Sequence, residues 1–325
     1  MAENQLREEI VKELLESLKE DRIPWHQGWK SLGTPINAIT DSKYKGTNSL
    51  WLQLVSMKNG FNDNRWCTFK QASDKGWKIK KGSKGISVEY WSLYDKKTKK
   101  NINFNQEKEL KNKLTEEEYK ERIRIVSKVY KVFNGDQIEG IPKRKIPENN
   151  IDKDYIINHR NKLINSLKVD FREGGDSAFY VPSLDTITMP YIEMFDNEYE
   201  YLATFLHESA HSTGHESRLN RNISNTFGTA EYAKEELRAE ISSIFISQEL
   251  RIDGEDKEHM KNHKAYIQSW IDVLQNDPNE LFRAIKDAQQ ISDYMIEKGE
   301  LKINKNEKKD LLSEEVLKRI PGKSR

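Results

Sequence analysis

One stretch constrains this chain more than any other: 197-NEYEYLATFLHESAHSTGHESRLNR-221, which holds His207-Glu208-Ser209-Ala210-His211. On an α-helix, residues four apart lie on one face a single turn from each other. Both imidazoles therefore reach one metal ion, and Glu208 projects beside it. The local chemistry predicts such a helix. Asn197 stands three residues before Glu200 as in a capping box, Leu202, Phe205, Leu206 and Ala210 form an apolar stripe, and Gly214 suits a left-handed stop. Zinc held by two or three protein ligands lowers the pKa of a bound water toward neutrality, and an adjacent carboxylate can take its proton during attack on a carbonyl.

A catalytic zinc site needs a third protein ligand, and three candidates compete. His215 is close in sequence but lies past Gly214, and the position where a HExxHxxGxxH enzyme carries its third histidine holds Ser217. The other two lie on the next expected helix, 230-AEYAKEELRAEISSIFISQEL-250, where Glu236 and Glu240 share a face and Leu237, Ile241, Ile244 and Phe245 form the neighbouring core stripe. A Glu from a second helix completes the zinc site of thermolysin-like enzymes, and an acid one turn later commonly orients a ligating His. Glu236 is therefore expected as ligand and Glu240 as its supporting neighbour.

Three hundred and twenty-five residues predict two domains. The single cysteine, Cys67, excludes an internal disulfide framework and fits a reducing cytoplasm. No apolar run reaches the length of a membrane span. The first residues, MAENQLREEIVKELLESLKEDRIPW, read as an amphipathic helix stopped by Pro24 rather than as a signal peptide.

Charge and aromatics are segregated. Six of the seven tryptophans fall within the first 91 residues, and residues 65–100 carry 11 basic against 3 acidic side chains in a chain whose net charge is +1. Cations that follow phosphates, interleaved with rings that stack on bases, are what a single-stranded nucleic-acid groove requires. Trp25, Trp29, Tyr44, Asn48, Arg65, Trp66, Lys70, Gln71, Lys78, Lys80, Lys81 and Lys84 are the candidates. The ordinary alternative is a tryptophan core with a solvated lysine rim. Within this half a short helix is expected at 69–75 and a strand at 86–94. A charged insertion follows at 95–126 with a helix at 107–125, then an alternating strand at 126–133.

Two motif sets then resemble one family. Pro24-Trp25 with Trp29, Asn37-Ala38 with Thr40, Tyr44 with Gly46 and Asn48, Arg65-Trp66 with Thr68 and Lys70-Gln71, Lys81-Gly82, and Phe133-Asn134 with Gln137 are similar to the N-terminal domain of ArdC-type antirestriction proteins. Tyr180 with Pro182, Asp185 with Ile187, Pro190, the HExxH helix, Arg218 with Arg221, and Tyr232 through Glu240 resemble the zincin-like domain of the same proteins. The resemblance spans about residues 5–297 and departs at the 95–126 insertion and at Asn134-Gly135-Asp136. It implies a mobile-element protein that binds single-stranded DNA and protects incoming DNA from restriction, and it too favours Glu236 as third ligand.

The second half is expected to open with a helix at 154–167, followed by a hairpin of strands 177–181 and 186–189 whose edge could hold a peptide by strand addition. Helices at 256–275 and 278–298 would pack behind the site. The expected architecture is α+β in two domains: 1–140 for single-stranded DNA, a linker at 141–153, a zincin-like metallopeptidase at 154–298, and a disordered charged tail at 299–325. The expected chemistry is zinc-dependent peptide hydrolysis with His207, His211 and Glu236 on one zinc ion, for which Mn²⁺, Co²⁺ or Ni²⁺ could substitute, Glu208 as base, and a host protein as substrate. The alternative is a DNA-coating protein whose metal is structural.

Overall fold

A computed structural model describes residues 2–20, 32–102, 104–144, 153–223, 228–251 and 260–301. The chain divides into two compact units, Met1–Ser17 with Pro35–Lys145, and Leu18–Thr34 with Ile146–Arg325. Among the described residues, no helix is long and apolar enough to cross a membrane.

In the first unit, α1 (Ala2–Lys19) buries Leu6, Ile10, Val11 and Leu14 at helical spacing. A five-stranded sheet follows, with strands in the spatial order 36–37, 65–68, 123–134, 86–95 and 100–102. Its members are β1 (Ile36–Asn37), β2 (Arg65–Thr68), β4 (Ile86–Asp95), β5 (Lys100–Ile102) and β6 (Ile123–Asn134). β1 and β2 pair in parallel and the other neighbours antiparallel. Between β1 and β2 runs α2 (Gly46–Asn59), buried over Ser49 to Val55 and closed by the left-handed Gly60. α3 (Phe69–Asp74) starts from a capping box in which Thr68 and Gln71 satisfy each other's backbone N–H. β3 (Lys78–Ile79) pairs with β7 (Ile138–Glu139) as a separate ribbon.

The region expected as one helix at 107–125 is two helices and the start of a strand. α4 (Phe104–Lys113) ends before Thr115, whose capping box with Glu118 starts α5 (Glu116–Arg122). β6 has already begun at Ile123, three residues before the expected start, because the β-branched run from Ile123 pairs with β4 through ten consecutive positions.

In the second unit, α6 (Lys153–Leu167) leads into β8 (Asp170–Glu173), β9 (Phe179–Val181) and β10 (Thr186–Met189). β10 is the centre strand, parallel to β8 and antiparallel to β9. The hairpin is present. β8 escaped sequence reading because it is an edge strand whose residues are mostly exposed and show no alternation.

α7 (Glu198–Ser212) begins where the Asn197 side chain accepts from the Glu200 amide. Its Leu202, Phe205, Leu206 and Ala210 share one core with Ile187 and Met189 of β10 and with Ala239 and Ile246 of α8 (Ala230–Glu249). Ile291 and Met295 of α10 (Asn279–Lys298) complete it. Burial of each Leu, Ile, Phe and Met side chain in this core stabilises the fold by roughly 1.5–3 kcal/mol. α9 (Met260–Asn276) anchors Trp270, whose indole N–H donates to the Ala233 carbonyl.

Gly214 is not the left-handed cap expected. α7 ends at Thr213 in right-handed geometry, and a Cβ on Gly214 would lie 2.3 Å from Ile223 Cγ2. Close approach, not a positive φ, requires glycine there.

Candidate functional site

α7 packs against α8, and the HExxH turn faces the turn that carries Glu235, Glu236 and Glu240. His207 Nε2 and His211 Nε2 lie 3.1 Å apart. Glu236 reaches both, with Oε2 3.5 Å from His207 Nε2 and Oε1 3.4 Å from His211 Nε2. Ligand atoms of these three residues all fall within 4.8 Å of one another. Tetrahedral zinc with bonds of about 2.0–2.1 Å separates neighbouring ligand atoms by about 3.4 Å, so these spacings fit one such ion.

The far nitrogens are also held. His207 Nδ1 is 3.3 Å from Glu240 Oε2, and His211 Nδ1 is 3.3 Å from Glu235 Oε1. A carboxylate on Nδ1 fixes the tautomer that turns the Nε2 lone pair inward. Glu235 is the residue that spacing alone missed. It accepts from Arg221 Nη2 at 2.7 Å, and the same guanidinium donates to Thr213 Oγ1 and the Ala210 carbonyl at the end of α7. No local pattern marks it, because the fold brings Arg221 and His211 to it from the preceding helix and loop.

Burial alone would pull both imidazole pKa values down, but the carboxylates outweigh it. Glu236 and Glu240 lift His207 well above its ordinary value, and Glu235 and Glu236 lift His211 to about 9. Burial would raise Glu236, yet hydrogen bonds to the two imidazoles hold it well below the usual carboxylate range. Glu208, itself buried, is near enough for its charge to act on His207. Four buried carboxylates around two imidazoles make a pocket built to attract positive charge.

His215 stands apart from this cluster, with Nδ1 2.8 Å from Ser217 Oγ. Arg218 is a structural pin. It donates to the Ser212 and Leu167 carbonyls, to both oxygens of Asp185, and to the Tyr180 hydroxyl, tying the end of α7 to the β9–β10 turn.

The candidates for nucleic-acid contact separate sharply. Trp66, expected to stack on a base, cannot: it is 0% exposed on β2 and edge-on to Phe61. Asn48 exchanges hydrogen bonds with the Glu89 backbone, and Arg65 is committed to Asp63 and the Pro142 carbonyl. Gln71 serves the α3 cap and Asn37. Tyr44 is half-buried, and burial raises its pKa. Lys70, Lys78, Lys80, Lys81 and Lys84 are exposed, with Lys70 paired to Asp74 and Lys80 donating to the Asp136 carbonyl. Trp25 and Trp29 lie outside the described residues. Phe69, Tyr90 and Tyr130, which no motif singles out, are 64%, 54% and 42% exposed. Nothing in the composition separates an exposed ring from a buried one.

Comparisons with known proteins divide the chain in the same order. Residues 4–133 match the N-terminal domain of the anti-restriction factor ArdC, and residues 158–287 match the zincin-like metallopeptidase family. The uncharacterized protein y4eC of Sinorhizobium fredii is 31% identical over 84% of this chain and 84% of its own length. Two Escherichia coli proteins named DNA primase TraC are 38% and 36% identical over 89% of this chain, which spans only 20% and 27% of their lengths. Crystal structures of the antirestriction protein ArdC from plasmid R388, one metal-free and one Mn(II)-bound, superpose with TM-scores of 0.67 and 0.66. They are 26% and 27% identical to this chain, covering 92% and 90% of it and 99% and 97% of themselves.

Proposed function

The chain belongs to the ArdC-type antirestriction family, and from that premise we propose that it joins a zinc-dependent peptidase site to a unit that binds single-stranded DNA. The convergence of His207 Nε2, His211 Nε2 and the Glu236 carboxylate at 3.1–3.5 Å carries the first half of this reading. When bound, zinc supplies Lewis acidity toward the scissile carbonyl and the attacking water.

The side chains do the rest. Glu208 takes a proton from the attacking water on its carboxylate and delivers it to the leaving amine. Glu240 and Glu235 hold the Nδ1 protons of His207 and His211, so both Nε2 lone pairs stay aimed at one point. The β9 edge offers its backbone to an extended peptide, which Arg218 assists by fixing the turn that follows.

In the N-terminal unit, Lys78, Lys80, Lys81 and Lys84 form an exposed basic surface that supports phosphate contact. The biological reading is a mobile-element protein of the cytoplasm that coats or follows entering single strands and cleaves a host protein. The experiment is cleavage of candidate host proteins with and without single-stranded DNA, wild type against Glu208→Gln. Loss of cleavage in the variant, with zinc retained, is expected. Equal activity would remove Glu208 from the chemistry. Full protection of DNA by the variant would favour coating alone.

A further inference from the structure

The β4–β6 ribbon presents one face that combines exposed tyrosine rings with exposed cations. In its antiparallel register, directly opposed residues point the same way, and so do alternate residues along each strand. One face therefore carries Tyr90, Ser92 and Tyr94 on β4 opposite Lys128, Val126 and Arg124 on β6, with Tyr130 one step further along, opposite Val88. The strand ends toward Val88 and Val132 are buried, whereas Tyr90, Arg124, Lys128 and Tyr130 are exposed.

Charge is one-sided too. None of the ten paired residues on this face is acidic, while the ribbon's two acids, Glu89 and Asp95, lie on the opposite face and are held by Arg7 and Arg122. The rings and cations of this face lie within reach of one another. Tyr90 and Tyr130 meet edge to face with centroids 5.9 Å apart, and the Arg124 guanidinium lies 4.8 Å from the centroid of the Tyr94 ring. Rings on an open sheet face, flanked by cations and free of acids, are the arrangement that stacks unpaired bases while the phosphates follow the cations.

We infer that this face, centred on Tyr90 and Tyr130 with Arg124 and Lys128, is the base-stacking platform for single-stranded DNA. The inference rests on the proposed DNA-binding reading and gives it a location different from the tryptophans that the sequence highlights. Duplex DNA is a poor occupant because its bases are stacked on each other and offer only their edges.

The test is fluorescence anisotropy of a labelled oligothymidylate with the full chain. Tyr90→Ala and Tyr130→Ala are each expected to weaken binding about 5- to 150-fold, and the Phe replacements are expected to restore it. Removing Arg124 and Lys128 together should flatten the dependence of log K on log salt by about 1.4. If wild type fails to bind single strands, the DNA-binding reading itself falls. If wild type binds and the double Tyr90→Ala/Tyr130→Ala protein, folded by circular dichroism, binds within twofold of it, this platform is wrong and that reading stands. Equal affinity for duplex would also overturn the platform. Photocrosslinking of wild type to 5-iododeoxyuridine DNA gives a check free of substitutions: adducts at Tyr90 or Tyr130 support the platform, and adducts confined elsewhere overturn it.

Discussion

At the scale of single residues, the candidate centre is decided by which nitrogen each carboxylate meets. Glu236 stands between the two Nε2 atoms, whereas Glu240 and Glu235 each take one Nδ1. Replacing Glu235 with Gln, or Glu240 with Gln, is therefore expected to lower zinc affinity about 10- to 100-fold without unfolding the protein, as read by competition with a chelating dye. Unchanged affinity in both would mean that the Nδ1 contacts do not orient the ligands. The spacing of His207, Glu208 and His211 and of Glu236 and Glu240 was legible because i,i+4 geometry is a property of any helix. Glu235 was not, since its role comes from Arg221, fourteen residues earlier and brought back by the fold. Trp66 shows the converse: its ring type suits stacking, but its place on the interior strand β2, fully buried, removes it from any ligand.

At the scale of elements, the sequence cues that worked were those with a local mechanism. Asn197 caps α7, and the apolar stripes of α1, α7 and α8 are the buried ones. The break between α4 and α5 had a cue as well, Thr115 three residues before Glu118, hidden in a run of charged helix formers. The start of β6 had only a weak one, the β-branched Ile123, Ile125 and Val126, and its position is set by pairing with β4. Asp95 and Arg122 close that ribbon where α5 gives way to β6, and the Arg122 guanidinium holds the Asp95 carboxyl far below the usual range. A depressed folded value stabilises above the ordinary carboxylate pKa and is lost as pH falls through the folded one. Asp95→Asn should thus be less stable than wild type at pH 7, and the two should converge as pH drops below about 4. A constant gap across that range would contradict the pairing. Gly214→Ala is expected to destabilise by roughly 1–3 kcal/mol in urea unfolding, since the new methyl must displace Ile223.

At the scale of the whole molecule, the chain is two compact units, and each carries one half of the proposed activity. A ligand that binds only the folded state stabilises by mass action, about 2.7 kcal/mol at a free concentration a hundredfold above Kd. Zinc should accordingly raise the calorimetric transition of the unit that contains residues 146–325, and a chelator should return it, with the other unit unaffected. The α+β character and the order of the two halves were legible from motifs and charge segregation. The three-stranded sheet was only half legible, because β8 pairs in parallel with β10 across a gap that no local pattern marks. All of the chemistry depends on three side chains from two helices closing on one cation. The most direct measurement is anomalous diffraction at the zinc edge from crystals of the full chain grown with zinc. One peak bonded to His207 Nε2, His211 Nε2 and Glu236 is expected. A peak bonded to other residues, or a fourth bond supplied by a protein side chain, would contradict it.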